Sequence, residues 1–304
     1  MAVLDLIRQT LSTKIAKLVL CILLGVCVCF LFLSSENKQL VSKHSPNMLN
    51  NLMFKSTNNN LQQLFPSATC PIGVQLLKHD YPAISACTEG YSALERSHID
   101  SSKMESQRVV IHKPYLTRND SLLIEVGGYT GADAERFIAH GIRPHYIMLE
   151  PVPMFFNQLI DKFKNDPRFI IYNFGLGRED KVLTIPIQTD ATSLFRQNIP
   201  RGKGTTDIKI RKSTVFFDEV GVAKKNVDLL HINCEGCEFE LLEELIVTGY
   251  IRYFNHIQFQ FHMHLPQIKQ EACRYCQIMQ LLTRTHTPMF QYRHTWQAWK
   301  KIEL

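Results

Sequence analysis

The sequence predicts an α/β domain, in which helices cover both faces of a mostly parallel sheet and the last strand runs antiparallel. Three observations predict it. From residue 121 onward, short apolar runs alternate with amphipathic stretches of helical length, and this is the pattern of strand–helix–strand units. The first run, LLIEV at 122–126, ends in a glycine-rich turn. The last two runs, at 289–294 and 297–304, follow each other directly and resemble a hairpin.

The inner strands are predicted by apolar runs, because strands buried on both faces need apolar residues at nearly every position. These runs lie at 122–126, 145–149, 168–174, 227–233 and 256–263. Helices are predicted at 132–140, 154–163, 238–249 and about 267–285, each after a strand. KVLTIPI at 181–187 predicts a short β excursion, and the polar, basic residues 188–213 predict a loop.

The chain before this domain divides into four parts. Residues 1–17 form a predicted cytosolic tail, 18–33 a transmembrane signal anchor, 34–65 a flexible stem rich in Asn, Ser and Lys, and 66–118 an N-terminal cap region before the domain at 119–304. The anchor LVLCILLGVCVCFLFL carries no charge and spans about 24 Å as a helix. Lysines and an arginine precede it, which places the N-terminus in the cytosol.

This arrangement predicts a single-pass type II membrane protein whose domain faces the lumen of the Golgi or endoplasmic reticulum. A cleaved signal peptide is the alternative, but its apolar region is normally shorter and no small-x-small site follows Leu33. The triplet Asn119-Asp120-Ser121 is a glycosylation sequon, which agrees with a lumenal glycoprotein.

Six cysteines lie beyond the anchor, and an even number in an oxidising compartment predicts disulfides. Cys70 and Cys87 are the expected bridge, because both precede the predicted core. Cys234/Cys237 and Cys273/Cys276 are two C-x-x-C pairs. Disulfides within or between these pairs, free buried thiols and a four-thiolate zinc site are the alternatives, although nothing in the spacing requires a metal.

The turn after the first strand contains an acid followed by separated glycines. Glu125, Gly127, Gly128 and Gly131 form the pattern E-x-G-G-x-x-G. A dinucleotide fingerprint would need glycine where Tyr129 stands, and Glu125 would repel a pyrophosphate. A cationic nucleoside is favoured instead. S-adenosylmethionine (SAM) is such a ligand, because it carries a sulfonium and an ammonium and no phosphate.

Glu150 ends the second strand, where an acid can accept hydrogen bonds from both ribose hydroxyls of an adenosine. By itself this position indicates only an adenosine, and a carboxylate that stabilises the start of the next helix is the alternative.

The chain from about 121 to 304 resembles the FkbM-type family of SAM-dependent methyltransferases. The resemblance depends on LIEVGGYTG, IMLEPVP, YNFGLG, VFFDEV and above all VDLLHINCEGCEFELLEEL. It implies a Rossmann-like class I methyltransferase sheet, methylation of hydroxyl groups, and SAM binding by the acids and glycines named above together with Asn173 and Gly175. It also places Asn233 and Glu235 at the reaction crevice.

Two residues depart from the family pattern. His231 stands where the family has lysine, and Asn233 where it has aspartate. A histidine replaces lysine as a cation only below a pH of about 6.5. The site is therefore either retuned or inactive.

Gln258, Gln260, His262 and His264 alternate with apolar residues along the strand at 256–263. One polar face on an otherwise apolar strand predicts that this strand borders the cleft, and a solvated edge strand is the alternative. Glu235, His262 and His264 are the candidate bases for the hydroxyl proton, and His231 and Asn233 are further candidate catalytic residues. Convergence of the histidines with Glu235 on a metal is geometrically allowed but not required.

The sequence therefore predicts a SAM-dependent methyltransferase that O-methylates a small molecule or a glycan. A catalytically inactive binding or scaffold protein on the same fold is the alternative. The net charge of +6 is mild and no basic run is interleaved with aromatics, which excludes a nucleic-acid partner. The basic residues from Arg201 to Lys212 predict either a solvated loop or contact with an acidic substrate. Oligomeric state is left open.

Overall fold

A computed structural model of the chain describes residues 61–70, 72–94, 101–187, 204–292 and 295–303. These residues belong to one compact unit, Thr57–Leu304. The predicted tail, the anchor at 18–33 and the stem up to residue 60 lie outside the described residues. Within the described part of the chain, no helix is both long enough and apolar enough to cross a bilayer.

A seven-stranded sheet forms the centre of the unit. Its strands are β1 (Leu122–Val126), β2 (His145–Leu149), β3 (Phe169–Tyr172), β7 (Leu229–Ile232), β8 (His256–Gln260), β9 (His286–Gln291) and β10 (Trp296–Lys301). They lie in the order β3-β2-β1-β7-β8-β10-β9. Neighbours from β3 to β8 are parallel, whereas β10 is antiparallel to both β8 and β9. The predicted mostly parallel sheet with an antiparallel last strand is confirmed.

The α-helices whose bounds fall within the described residues surround the sheet. They are α1 (Asp80–Leu94), α2 (Ser101–Val110), α3 (Lys113–Leu116), α4 (Ala132–Ala139), α5 (Pro153–Phe163), α6 (Ser213–Glu219), α7 (Cys237–Thr248) and α8 (Glu271–Leu282). Short 3-10 helices lie at Pro66–Ala68 and Tyr250–Tyr253.

Alternation along the strands divides the core between the two faces of the sheet. Leu123 of β1 packs in a cluster with Phe137 of α4 and Leu159 of α5. Ile124, the next residue, packs in a larger cluster with residues of α6, α7 and α8. Neighbouring residues of a strand point to opposite faces, so helices cover the sheet on both sides, as the sequence predicts.

A second, three-stranded sheet changes the prediction for residues 188–213. It contains β4 (Gly175–Gly177), β5 (Lys181–Pro186) and β6 (Thr205–Lys212), in the order β4-β6-β5. The predicted excursion at 181–187 is confirmed as β5. The predicted loop is wrong for β6, because Ile208 and Ile210 are buried while the neighbouring Asp207 and Lys209 are exposed. This period of two is the signature of a half-buried strand.

The cap region is helical and is attached to the core through disulfides. Cys70 is bonded to Cys273 and Cys87 to Cys276. The expected Cys70–Cys87 bridge is therefore wrong. The reason is geometric: α1 packs against α8, with the rings of Tyr91 and Tyr275 5.5 Å apart, and this contact brings cysteines that are distant in the sequence together.

Candidate active site

A cavity of about 320 Å³ lies at the carboxyl ends of β1, β2, β7 and β8. This is the edge at which open α/β sheets bind ligands, and the volume lies at the lower end of the range for small-molecule sites. The glycine and polar lining of the cavity comes from the strand ends and the helices that follow them: Glu125, Gly127, Gly128, Asp133, Arg136, Glu150, Gly175, Asn233, Cys234, Glu235, Cys237, Gln260 and His262. Its apolar lining comes mainly from the second sheet and from the start of α5: Val152, Phe155, Leu176, Ile185, Ile208 and Ile210.

The turn after β1 lies directly against the backbone that follows β7. Gly127 has a φ of 95°, and a Cβ atom there would lie 2.0 Å from the carbonyl oxygen of Asn233. The amide of Asn233 donates to the carbonyl of Val126 at 2.9 Å. Any side chain at Gly127 would therefore separate the two strand ends. The close approach that requires glycine here is to the chain itself; the predicted approach of a ligand to Gly127 stays a prediction.

Glu150 holds the same turn from the side of β2. Its carboxylate accepts hydrogen bonds from the amide of Tyr129 at 2.7 Å and from the amide of Val152 at 2.8 Å. Burial raises the pKa of Glu150 to about 7, although both amides act in the opposite direction. Each carboxylate oxygen has a second lone pair, so these contacts leave acceptor capacity toward the cavity.

Glu125 is almost completely buried, with 1% of its surface exposed. The phenol of Tyr146 donates to its Oε2 at 2.5 Å. Burial, and next the charge of Asp133, raise the pKa of Glu125 well above its usual value. A cation placed in the cavity would oppose that shift and favour the ionised form.

Asp133 is the polar centre of the site, and sequence analysis did not identify it. It lies in the first turn of α4. Its Oδ1 accepts hydrogen bonds from Arg108 and Arg136, both at 2.6 Å, and its Oδ2 accepts from His231 at 2.9 Å and Asn233 at 3.3 Å. Burial opposes ionisation, but His231 and Arg108 outweigh it and hold the pKa of Asp133 well below its usual value. Asn233 is thus fixed by an ionised carboxylate.

A buried chain of hydrogen bonds continues from Asp133 across the sheet. His231 donates from Nε2 to Asp133, so its Nδ1 accepts from Gln258 at 3.1 Å. The amide oxygen of Gln258 in turn accepts from Nε2 of His112 at 2.8 Å. Burial lowers the pKa of His231 below its usual value, although Asp133 acts in the opposite direction. Burial therefore disfavours the imidazolium that a lysine-like role of His231 would need.

His262 lies between two carboxylates at the end of β8. Its Nε2 is 3.1 Å from Oε1 of Glu235, and its Nδ1 is 3.1 Å from Oε1 of Glu238. Glu238 is completely buried and also accepts from the amide of His262 at 2.6 Å. Burial disfavours the charged imidazole, but Glu238 and Glu235 outweigh it and raise the pKa of His262 to about 9. His262 is therefore an imidazolium at neutral pH.

Most of the predicted site residues meet at the cavity, and four do not line it. Glu235, Asn233, His262, Glu125, Gly127, Gly128, Glu150 and Gly175 do so. Gly131 packs against Phe163 instead, and Asn173 donates to the carbonyl of Glu150 at 2.9 Å, behind the cavity wall. His231 is completely buried beneath Asp133. His264 is exposed, and its amide donates to Glu271.

The third disulfide joins Cys234 to Cys237, across the turn that carries Glu235. Both cysteines line the cavity. Because all six described cysteines are bridged, the alternatives of free thiols and of a four-thiolate zinc site do not hold for them. The C-x-x-C spacing was recognised in the sequence, but only the turn geometry places this pair beside Glu235.

Among the described residues, His231, His262, His264 and Glu235 do not form a group with metal-ligand spacing. Within the described part of the chain, the group with metal-ligand spacing is Glu125, Asp133 and His231. Its three members are buried, and Arg108 and Tyr146 already donate to the two acids. Their charges and hydrogen bonds are thus balanced within the protein.

No family model and no curated protein matches this chain. Solved structures with similar folds include the METTL16 methyltransferase domain, at 11% identity, TM-score 0.39, covering 81% of this chain and 92% of that one. A putative caffeoyl-CoA O-methyltransferase from Staphylococcus aureus matches at 8% identity, TM-score 0.38, over 82% and 100%. Aeropyrum pernix fibrillarin with bound S-adenosyl-L-methionine matches at 8% identity, TM-score 0.34, over 66% and 74%. The fold assignment itself depends on the strand order and polarity described above.

Proposed function

We propose that this chain is a SAM-dependent methyltransferase of the FkbM type that methylates a hydroxyl oxygen. One observation carries the proposal. Two buried carboxylates, Glu125 and Glu150, lie at the carboxyl ends of the first two strands beside a cavity at that edge of the sheet. Carboxylates at that edge favour a cationic nucleoside over a phosphorylated ligand.

The residues that line the cavity match the parts of SAM in charge, hydrogen bonding and polarity. Glu150 would accept the ribose hydroxyls, and Glu125 and the turn at Gly127 and Gly128 would face the cationic amino-acid end. The apolar side chains of Phe155, Ile185 and Ile208, which line the same cavity, would cover the base. Arg136 also lines the cavity and is 47% exposed, so it can pair with a carboxylate group of a ligand.

When bound, SAM supplies an electrophilic methyl group. The chain's contribution is to orient the acceptor, to exclude water and to take the hydroxyl proton. Glu235 lies at the cavity and is the group we assign as base. His262 is protonated at neutral pH, so it cannot accept that proton; it positions the Glu235 carboxylate through the 3.1 Å contact. Asn233, held by Asp133, would orient the acceptor, and His231 acts through Asp133.

We further propose that the domain faces the lumen of the Golgi or endoplasmic reticulum and that the acceptor is a glycan or another secretory-pathway hydroxyl. The uncharged run at 18–33 and the three disulfides support this location. The sequon residue Asn119 is exposed, as a glycosylated asparagine must be. The glycan follows from the compartment alone.

Isothermal titration of the purified full-length chain with SAM tests the cofactor. We expect saturable heat and a rise in melting temperature with SAM. If millimolar SAM gives no heat and no rise in melting temperature, the proposal is refuted.

Incubation with labelled SAM and secretory-pathway extracts, followed by mass spectrometry, tests methyl transfer. Binding without transfer to any extract would favour the alternative of a non-catalytic binding protein.

Expression in cells tests the location separately. We expect endoglycosidase to shift the mobility of the wild-type chain but not that of an Asn119→Gln variant. We also expect residues after the anchor to resist protease in sealed microsomes. A protease-sensitive, unglycosylated domain would refute the lumenal orientation and leave the cofactor proposal untouched.

A further inference from the structure

We propose that Cys234 and Cys237 form a reversible dithiol–disulfide pair, opened by small dithiols, that controls the position of Glu235 at the cavity. The proposal concerns the chemistry of the turn and does not depend on methyl transfer. It rests on the location of the two sulfurs, the size of the loop that they close, the groups that would stabilise the reduced form, and the backbone of the turn.

Location makes this bridge the most accessible one. Cys234 and Cys237 are both half-buried and line the cavity. By contrast, Cys70 and Cys273 are each 7% exposed, and Cys87 is half-buried but is bonded to Cys276, which is 1% exposed. An external thiolate must reach a sulfur in line with the bond that it breaks, and among the described bridges only Cys234–Cys237 has both cysteines partly exposed at the cavity.

The size of the loop that each bridge closes also favours Cys234–Cys237 as the bridge that opens. Cys234 and Cys237 are 3 residues apart, whereas the other two bridges join residues separated by 203 and 189 positions. In the chain-entropy model, a bridge stabilises the fold more when it closes a longer loop. The short bridge therefore contributes least to folding, and opening it leaves the fold intact.

The reduced form has stabilising groups in place for both sulfurs. Cys237 is the first residue of α7, where the exposed amides of the helix N-terminus stabilise a thiolate. Cys234 Sγ lies 3.4 Å from Oε2 of the buried Glu238, which would accept a hydrogen bond from a thiol and disfavour a second thiolate. The reduced pair is thus a Cys234 thiol beside a Cys237 thiolate.

These roles define the direction of the exchange. A thiolate of the dithiol attacks the sulfur of Cys234, the sulfur–sulfur bond breaks, and its electron pair leaves on Cys237, the more acidic thiol. The second thiol of the reductant, after loss of its proton, then displaces Cys234, which takes up a proton. Two electrons pass to the protein, and the reductant becomes a disulfide.

The bridge constrains a left-handed turn. Glu235 has a φ of 54° and Gly236 a φ of 111°, and the two cysteines enclose both residues. A glutamate in this left-handed region is strained, because its Cβ crowds the backbone. Opening the bridge releases Glu235 from that conformation, and its 3.1 Å contact with His262 loosens. The pair formed by His262 and Glu238 remains.

Redox titration of the purified full-length chain tests the first part. The protein is equilibrated in dithiothreitol buffers of graded poise, quenched in acid and alkylated, and each cysteine peptide is quantified by mass spectrometry. We expect Cys234 and Cys237 to become reduced at a poise at which the other four described cysteines stay oxidised, and to re-form their bridge on return. Reduction of all three bridges together, or of this one last, would overturn the proposal.

A histidine NMR titration tests the coupling to Glu235. We expect the pKa of His262 to fall by about one unit on selective reduction and in the variant C234S/C237S, while the fold is unchanged by circular dichroism. The matched control is Glu235→Gln, which keeps the bridge. Its His262 pKa should be lower than that of wild type before reduction, with Glu238 still raising it, and should not change on reduction. An unchanged His262 pKa in the reduced protein would separate the bridge from Glu235 and refute its control of the site.

Discussion

Asp133 accepts a hydrogen bond from His231 at 2.9 Å, and His231 is completely shielded from solvent. Asp133 also pairs with Arg108, a guanidinium that is 1% exposed. We predict that Asp133→Asn destabilises the protein by about 3 kcal/mol, because it leaves that buried cation with Glu105 as its remaining acid partner. Urea unfolding of the full-length chain measures the difference in unfolding free energy between the variant and wild type. Glu135→Gln, on an exposed position of the same helix, should change stability by less than about 0.5 kcal/mol. Equal effects would contradict the central role of Asp133.

His112 makes the fold sensitive to acid. Burial lowers its pKa to about 3, whereas the unfolded chain titrates near 6.5. The unfolded state therefore binds more protons below pH 6.5, and stability is full above that pH and lost as the pH falls toward 3. We predict that His112 alone accounts for a loss of about 2 kcal/mol between pH 7 and pH 5. His112→Gln should flatten the pH dependence by that amount, and the exposed control His145→Gln should not.

The contribution of His262 to stability depends on pH in the opposite direction to that of His112. Its pKa is raised to about 9 by the two carboxylates despite burial, so its contribution to stability is full below pH 6.5 and lost as the pH rises through 9. We predict that wild type exceeds His262→Gln in unfolding free energy by at most about 3 kcal/mol at pH 6, and that the difference shrinks toward pH 9.5. Denaturant titrations at both pH values measure it. A difference that does not change with pH would mean that His262 is not charged.

Glu150 should make SAM binding depend on pH. Its pKa is about 7 because of burial, and ribose hydroxyls donate best to the ionised carboxylate. Binding must then release a proton below pH 7, so we predict an affinity about ten-fold weaker at pH 6 than at pH 8. Glu150→Ala should weaken binding at both values and remove the part of the pH dependence that Glu150 contributes. Calorimetry in buffers of different ionisation enthalpy detects the proton, and Asp161→Asn, on an exposed position, is the control.

The sequence predicted correctly those features of the fold and site that depend on local residue patterns. Apolar runs located the inner strands, and the acid and glycines of the first turn lie at the cavity, because strand ends of a parallel sheet meet at one edge. The strand β6 was missed because its two buried isoleucines alternate with charges that resemble a loop. Asp133 and His112 were missed because each stands alone in the sequence and acquires its partners only through packing. The same reason explains the wrong bridge at Cys70.

The two long bridges have a practical consequence for handling this protein. Both Cys70–Cys273 and Cys87–Cys276 span the stretch between residues 87 and 273. A protease that nicks the backbone once anywhere in that stretch leaves two pieces tied together by a pair of sulfur links. Such damage would be invisible on a gel run without reductant and would appear only after thiol is added.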